Sequence, residues 1–205
     1  VPNLGPRRLL AQYLVERVAA ELVTWRTDLM RGLLGEVKAF APDEAALHSQ
    51  QLLLSARVKA MTGDFAGAEE EFSASLALIN PERRPARALS VKARGTVIRV
   101  WIFRARTRLE AATLGHPTAL GSRDFRLALG AGAEPYIRAL LARALRLEGQ
   151  PEEAEQEIRL LASDLERVTP DVRRVALGLA EGRDESLLDV EPGNPYSLGA
   201  AFGKL

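Results

Sequence analysis

The chain has 205 residues, 47% of them hydrophobic but only 5% aromatic, with 28 basic against 27 acidic side chains and no cysteine. So apolar a composition at a net charge of +1 argues against disorder. Without cysteine there are no disulfides, thiolate nucleophiles or cysteine-based zinc sites, though this fixes no compartment.

The apolar mass is mainly Leu, Ala and Val, which suits close-packed helices better than sheet sandwiches. No uncharged apolar run is long enough to span a membrane. The first residues, Val1-Pro2-Asn3-Leu4, contain neither an initiator Met nor a signal peptide, so either a leader has been removed or the chain begins inside a longer protein. The expected compartment is cytoplasmic, or extracytoplasmic after removal of such a leader.

In chain order, a helix is predicted after Pro6, with Leu10, Tyr13, Leu14, Val18 and Leu22 as a one-sided apolar stripe. A second stretch, from Trp25 to Phe40, contains Gly32 and Gly35 and is expected to break or bend there. Pro42-Asp43 opens a helix to Met61, and Thr62-Gly63-Asp64-Phe65 ends it. Ala66–Leu78 is the next helix, closed by Asn80-Pro81. From Pro85 to Leu114 the only interruption is Gly95, giving one long helix or two with a bend. Gly115-His116-Pro117 stops it, and Thr118–Leu129 is its partner. After the turn Gly130-Ala131-Gly132 come helices over Glu134–Glu148 and Glu152–Val168, and a shorter one from Thr169-Pro170 to Ala180. No segment alternates as a strand would. The predicted class is all-α.

Turn glycines at Gly115, Gly149 and Gly182 recur at a period suited to stacked helix pairs. The later helix of each pair carries a small residue, then a large one a turn on, then small or apolar residues. The three sets are Ala68, Phe72, Ser75, Leu76; Gly121, Phe125, Ala128, Leu129; and Ala154, Ile158, Leu161, Ala162. In these features the chain resembles the tetratricopeptide repeat, most clearly over Ala56–Leu76 and Leu141–Leu161. The resemblance implies an α-α superhelix of stacked antiparallel helix pairs over residues 44–190, with Ala56 against Ala68 and Ala142 against Ala154. Residues 1–43 would form an N-terminal helical cap and residues 191–205 an irregular tail. Extra residues within 82–114 depart from the pattern. An α-α solenoid of another kind, such as a pentatricopeptide-like one, is the alternative.

The chemistry-bearing residues are sparse. His48 and His116 stand far apart with no acid or second histidine at ligand spacing, so neither a metal site nor a catalytic residue is predicted, and no cofactor. Gly130-Ala131-Gly132 lacks the strand and the Lys-Ser/Thr of a phosphate loop. The acidic groups Glu69-Glu70-Glu71 and Glu152, Glu153, Glu155, Glu157 fall in early helical turns, where they complement the helix dipole and solvate an outer face.

Charge is segregated. Residues 1–80 sum to −2, residues 81–110 to +7 and residues 111–205 to −4. Arg83 to Arg108 holds nine basic residues and no acid. At about 100° per residue, Lys92, Arg99 and Arg106 fall on one stripe of a helix, beside an apolar stripe of Val91, Ile98, Ile102, Ala105 and Leu109. The segment either pairs internally with neighbouring glutamates or binds an acidic peptide or protein. A domain without an overall basic excess argues against nucleic acid. The tetratricopeptide resemblance further implies a concave groove faced by Arg57 and Arg143, with Arg146 a turn beyond, where arginine suits carboxylate recognition.

The expected function is a non-enzymatic protein–protein interaction scaffold or adaptor that binds a partner peptide or helix. The alternative is the regulatory or sensor module of a larger bacterial protein, such as a transcription regulator. The tail, through Tyr196, Leu198, Phe202 and Leu205, is expected to dock on its own repeats or a neighbouring chain. Homo-oligomerisation, if it occurs, would use the tail or the N-terminal helices.

Overall fold

A computed structural model describes residues 10, 13–15, 17, 26–40, 45–80, 82, 84–116, 121–133, 137–164, 178 and 180. Among these residues the chain forms α-helices, one short 3₁₀ turn and no strand, so the fold is all-α. It divides into two compact units, Val1–Val100 and Trp101–Leu205.

The first unit holds helices α1 (Thr27–Phe40), α2 (Ala45–Met61) and α3 (Phe65–Ile79). In α1, Met30, Leu33, Leu34 and Val37 recur at helical spacing and are buried in one cluster with Leu14, Val15, Leu47, Leu54 and Val58. The break expected at Gly32 and Gly35 does not occur, because α1 runs unbroken through both. Each glycine lies on the exposed face, with open space where a side chain would stand. The burial of the opposite face holds the helix against the weak propensity of glycine.

Helix α2 ends in a tight turn where Gly63 takes φ +81°, a left-handed conformation that favours glycine. Asp64 then caps α3, its Oδ1 accepting from the Gly67 amide at 2.9 Å. The two helices run antiparallel: Ser49 meets Ser75 at one end, while Lys59 meets Glu71 at the other. The Ser49 and Ser75 hydroxyls lie 2.9 Å apart, and each also donates to the other's backbone carbonyl. Both are buried, so this pairing satisfies polar groups at the helix interface and pins its register. Ala56, Ala68 and Phe72 of this pair are fully buried.

A 3₁₀ turn at Ala86–Ala88 precedes helix α4 (Val91–Thr113), and the unit boundary falls inside that helix. The segment predicted over Pro85–Leu114 is thus a short turn followed by one helix that passes Gly95 without interruption. The predicted apolar stripe departs at one end. Ile102, Ala105 and Leu109 are buried, whereas Val91 is 78% exposed.

The second unit continues α4 and adds α5 (Ser122–Gly130), α6 (Ile137–Leu147) and α7 (Pro151–Asp164). Gly115 turns the chain out of α4 with φ +80°. Gly121, just before α5, lies directly against α4, where a Cβ would stand 2.6 Å from the Ala105 Cα. Helices α6 and α7 are antiparallel about the Gly149 turn, as Arg138 reaches Asp164 while Arg146 reaches Glu155. Ala142 and Ala154 are fully buried, as are Leu141, Leu145 and Leu161 of the same two helices. Only scattered residues of the helix predicted after Pro6 and of the one predicted to end at Ala180 are described, and those are helical. The tail and its four predicted anchors lie outside the described residues.

Candidate functional site

The basic segment on α4 divides into a paired and an unpaired part. Toward the C-terminal end, Arg104 holds the Asp124 carboxylate through two hydrogen bonds of 2.7 Å, and Arg108 adds a third at 3.3 Å. Asp124 is 2% exposed, so this is a buried carboxylate met by two guanidinium groups. Arg106 pairs with Glu110, one turn on in the same helix, at 2.8 Å. The pairing that joins α4 to its partner helix is therefore made by an aspartate of α5, and the glutamate involved lies within α4 itself.

Toward the N-terminal end the pattern is different. Arg84 is matched by Glu82 at 2.6 Å, and the resulting hydrogen bond and charge pull the Glu82 carboxyl below its usual range. Arg87, Lys92, Arg94 and Arg99 have no ion pair among the described residues. Lys92 is exposed and Arg99 half-buried. The Arg99 Nε is out of contact with solvent and has no hydrogen-bond partner among the described residues. Burial pulls the Arg99 guanidinium below the ordinary arginine range.

Among the described residues Lys92 and Arg99 of the predicted stripe are thus unmatched cations, whereas Arg106 has an internal carboxylate. The arginines placed in a groove by resemblance behave otherwise. Arg57 and Arg143 are each 7% exposed, and each is engaged by other groups of the chain. Arg146 is exposed and lies 3.4 Å from Glu155.

Several further charges are structural. Glu71 does not simply solvate an outer face: one oxygen meets Lys59 at 3.0 Å, and the other is buried without a hydrogen bond. Burial lowers the Arg138 guanidinium, but Glu157 and Asp164 both bind it, and their hydrogen bonds and negative charge together raise it above the usual arginine range. Ser122, at the start of α5, donates its hydroxyl to Glu148 at 2.6 Å, and Arg126 of α5 pairs with Glu153 of α7. These contacts tie the start and the outer side of α5 to the helix pair that follows it.

His48 lies half-buried in α2 and His116 is exposed in the turn after α4. Among the described residues no group of three or more His, Asp or Glu converges as a metal site would, and no helix is long and apolar enough to cross a membrane.

Two features of the basic segment were not singled out from sequence. Arg87 and Arg94 belong with the unmatched cations, and the signal was present, since neither has an acid within one helical turn. The role of Asp124 carried no local signal, because its partners lie across a turn and on another helix. Comparison with protein families, with curated proteins and with solved structures returns no match.

Proposed function

We propose that this chain is a non-enzymatic scaffold of tetratricopeptide-like helix pairs that binds an acidic segment of a partner protein. One observation carries the binding reading. The chain matches the cations of the C-terminal part of its basic segment with internal carboxylates, and among the described residues it leaves Arg87, Lys92, Arg94 and Arg99 unmatched. Unmatched cations attract a negatively charged partner, whereas paired ones have little left to offer.

The repeat reading is supported by a local pattern that the structure makes visible in a third pair. A small residue followed by arginine stands in the earlier helix of each pair: Ala56-Arg57, Ala105-Arg106 and Ala142-Arg143. A small residue opens the later helix each time, at Ala68, Gly121 and Ala154, and all six small residues are buried. Small residues at these places let two helix axes approach closely.

The test is affinity capture from an extract of the source cells, comparing the wild-type chain with a Lys92→Glu/Arg99→Glu variant. A partner with an acidic segment should be recovered by wild type, lost by the variant and released as salt rises. Recovery of no protein in stoichiometric amount overturns the scaffold reading.

A further inference from the structure

Helix α4 begins with a face unlike the rest of the chain. At about 100° per residue, Val91, Gly95, Arg99 and Lys92 fall within an arc of about 100° and span about 12 Å along the axis. Val91 is the most exposed large hydrophobic residue among those described. Gly95 sits in the interior of a continuous helix, where glycine is less favourable than alanine. Nothing within the chain asks for it, since a Cβ there would meet no atom within 4 Å. Its effect is to leave bare backbone between two unmatched cations, open to close approach from outside.

We infer that this face, Val91–Lys92–Gly95–Arg99, is a docking site for an amphipathic acidic helix of a partner protein. The partner helix crosses over Gly95, sets two carboxylates on Lys92 and Arg99 and covers Val91 with an apolar side chain. Lys92 and Arg99 lie two helical turns apart, about 10.5 Å, so carboxylates at positions i and i+7 of the partner match them. Glycine at the crossing brings the axes close, as small residues do elsewhere in this fold.

Charge complementarity selects this occupant. The Arg99 guanidinium is half-buried, and its Nε is out of contact with solvent and has no acceptor among the described residues. An incoming carboxylate therefore meets less competition there than at an exposed arginine. An exposed valine in the same arc adds contact for an apolar side chain and none for a phosphate backbone. The narrow cluster on a chain of net charge +1 is also short of the extended basic surface that nucleic acid requires.

This inference rests on the scaffold reading and is tested apart from it. The probe is a synthetic fluorescent helical peptide with Glu at i and i+7 and Leu between them. It is titrated into the full chain by anisotropy, beside a Gln-substituted peptide and a single-stranded oligonucleotide. The Glu peptide should bind best. Arg99→Gln should weaken it by about tenfold, in keeping with the loss of one charge-assisted hydrogen bond. Gly95→Leu should weaken it comparably without lowering the thermal midpoint, which separates blocked approach from misfolding. Equal binding of the Glu and Gln peptides overturns the inference, as does unchanged affinity in Arg99→Gln or tighter binding of the oligonucleotide. If the peptide fails while wild-type chain still captures a stoichiometric protein from the source extract, the docking site is wrong and the scaffold reading stands.

Discussion

Gly121 and Asp124, one helical turn apart, hold the start of α5 to α4 by different means. At Gly121 the requirement is space. An added methyl would stand 2.6 Å from the Ala105 Cα and 2.7 Å from its carbonyl oxygen, backbone atoms that cannot turn aside as a side chain can. Gly121→Ala is therefore expected to reduce unfolding free energy by about 1–3 kcal/mol, read as a lower urea midpoint. An unchanged midpoint would mean that the helices do not approach at this point. At Asp124 the requirement is charge. Asp124→Ala would remove the carboxylate that Arg104 and Arg108 share, and the two arginine side chains are only 15% and 20% exposed. Removing one member of a buried pair costs about 3–5 kcal/mol, and partial solvation of the arginines puts the expected loss near the lower figure. Chemical denaturation measures it, and a loss no greater than that of an exposed surface substitution would show the network to be incidental.

At the scale of the element, α1 shows how tertiary packing overrides a local signal. Gly32 and Gly35 weaken the helix on its own, yet the buried Met30, Leu33, Leu34 and Val37 secure it from the other side. Because neither glycine has φ above zero or a neighbour near its Cβ position, alanine fits at both. Gly35→Ala should stabilise the protein by about 0.4–1 kcal/mol and raise the melting temperature; a fall would reveal a constraint at that position. The start of α3 depends on a single side chain. Asp64→Ala removes the acceptor of the Gly67 amide and is expected to cost about 1 kcal/mol, seen in the same melting assay.

Across the whole molecule, near-neutral net charge conceals two kinds of positive charge. The Arg104–Asp124–Arg108 group is partly shielded from water, whereas Lys92 stands exposed. Raising ionic strength shortens the screening length from about 10 Å at 0.1 M to about 3 Å at 1 M and acts chiefly on exposed charges. Added salt should therefore weaken binding of an acidic partner strongly and shift the thermal midpoint little. Parallel anisotropy and melting curves over one salt series check this; parallel losses in both would show that the same charges serve folding and binding.

Helix content and the turns at Gly63, Gly115 and Gly149 were legible in the sequence, because each follows from local spacing. Amphipathic periodicity selects helix over strand, a glycine admits the left-handed turn at Gly63 and Gly149, and a helix cap needs a side chain only a turn away. The cationic segment was also plain as a run of residues. Its division into matched and unmatched parts was not, since Asp124 comes to Arg104 and Arg108 only when α5 folds back on α4. The burial of Arg57 and Arg143 and the exposure of Val91 were hidden for a similar reason. Which side of a helix is covered depends on the neighbours that pack against it, and those neighbours are distant in the chain. Local energetics set the elements; contacts between distant residues decided which charges remain for a partner.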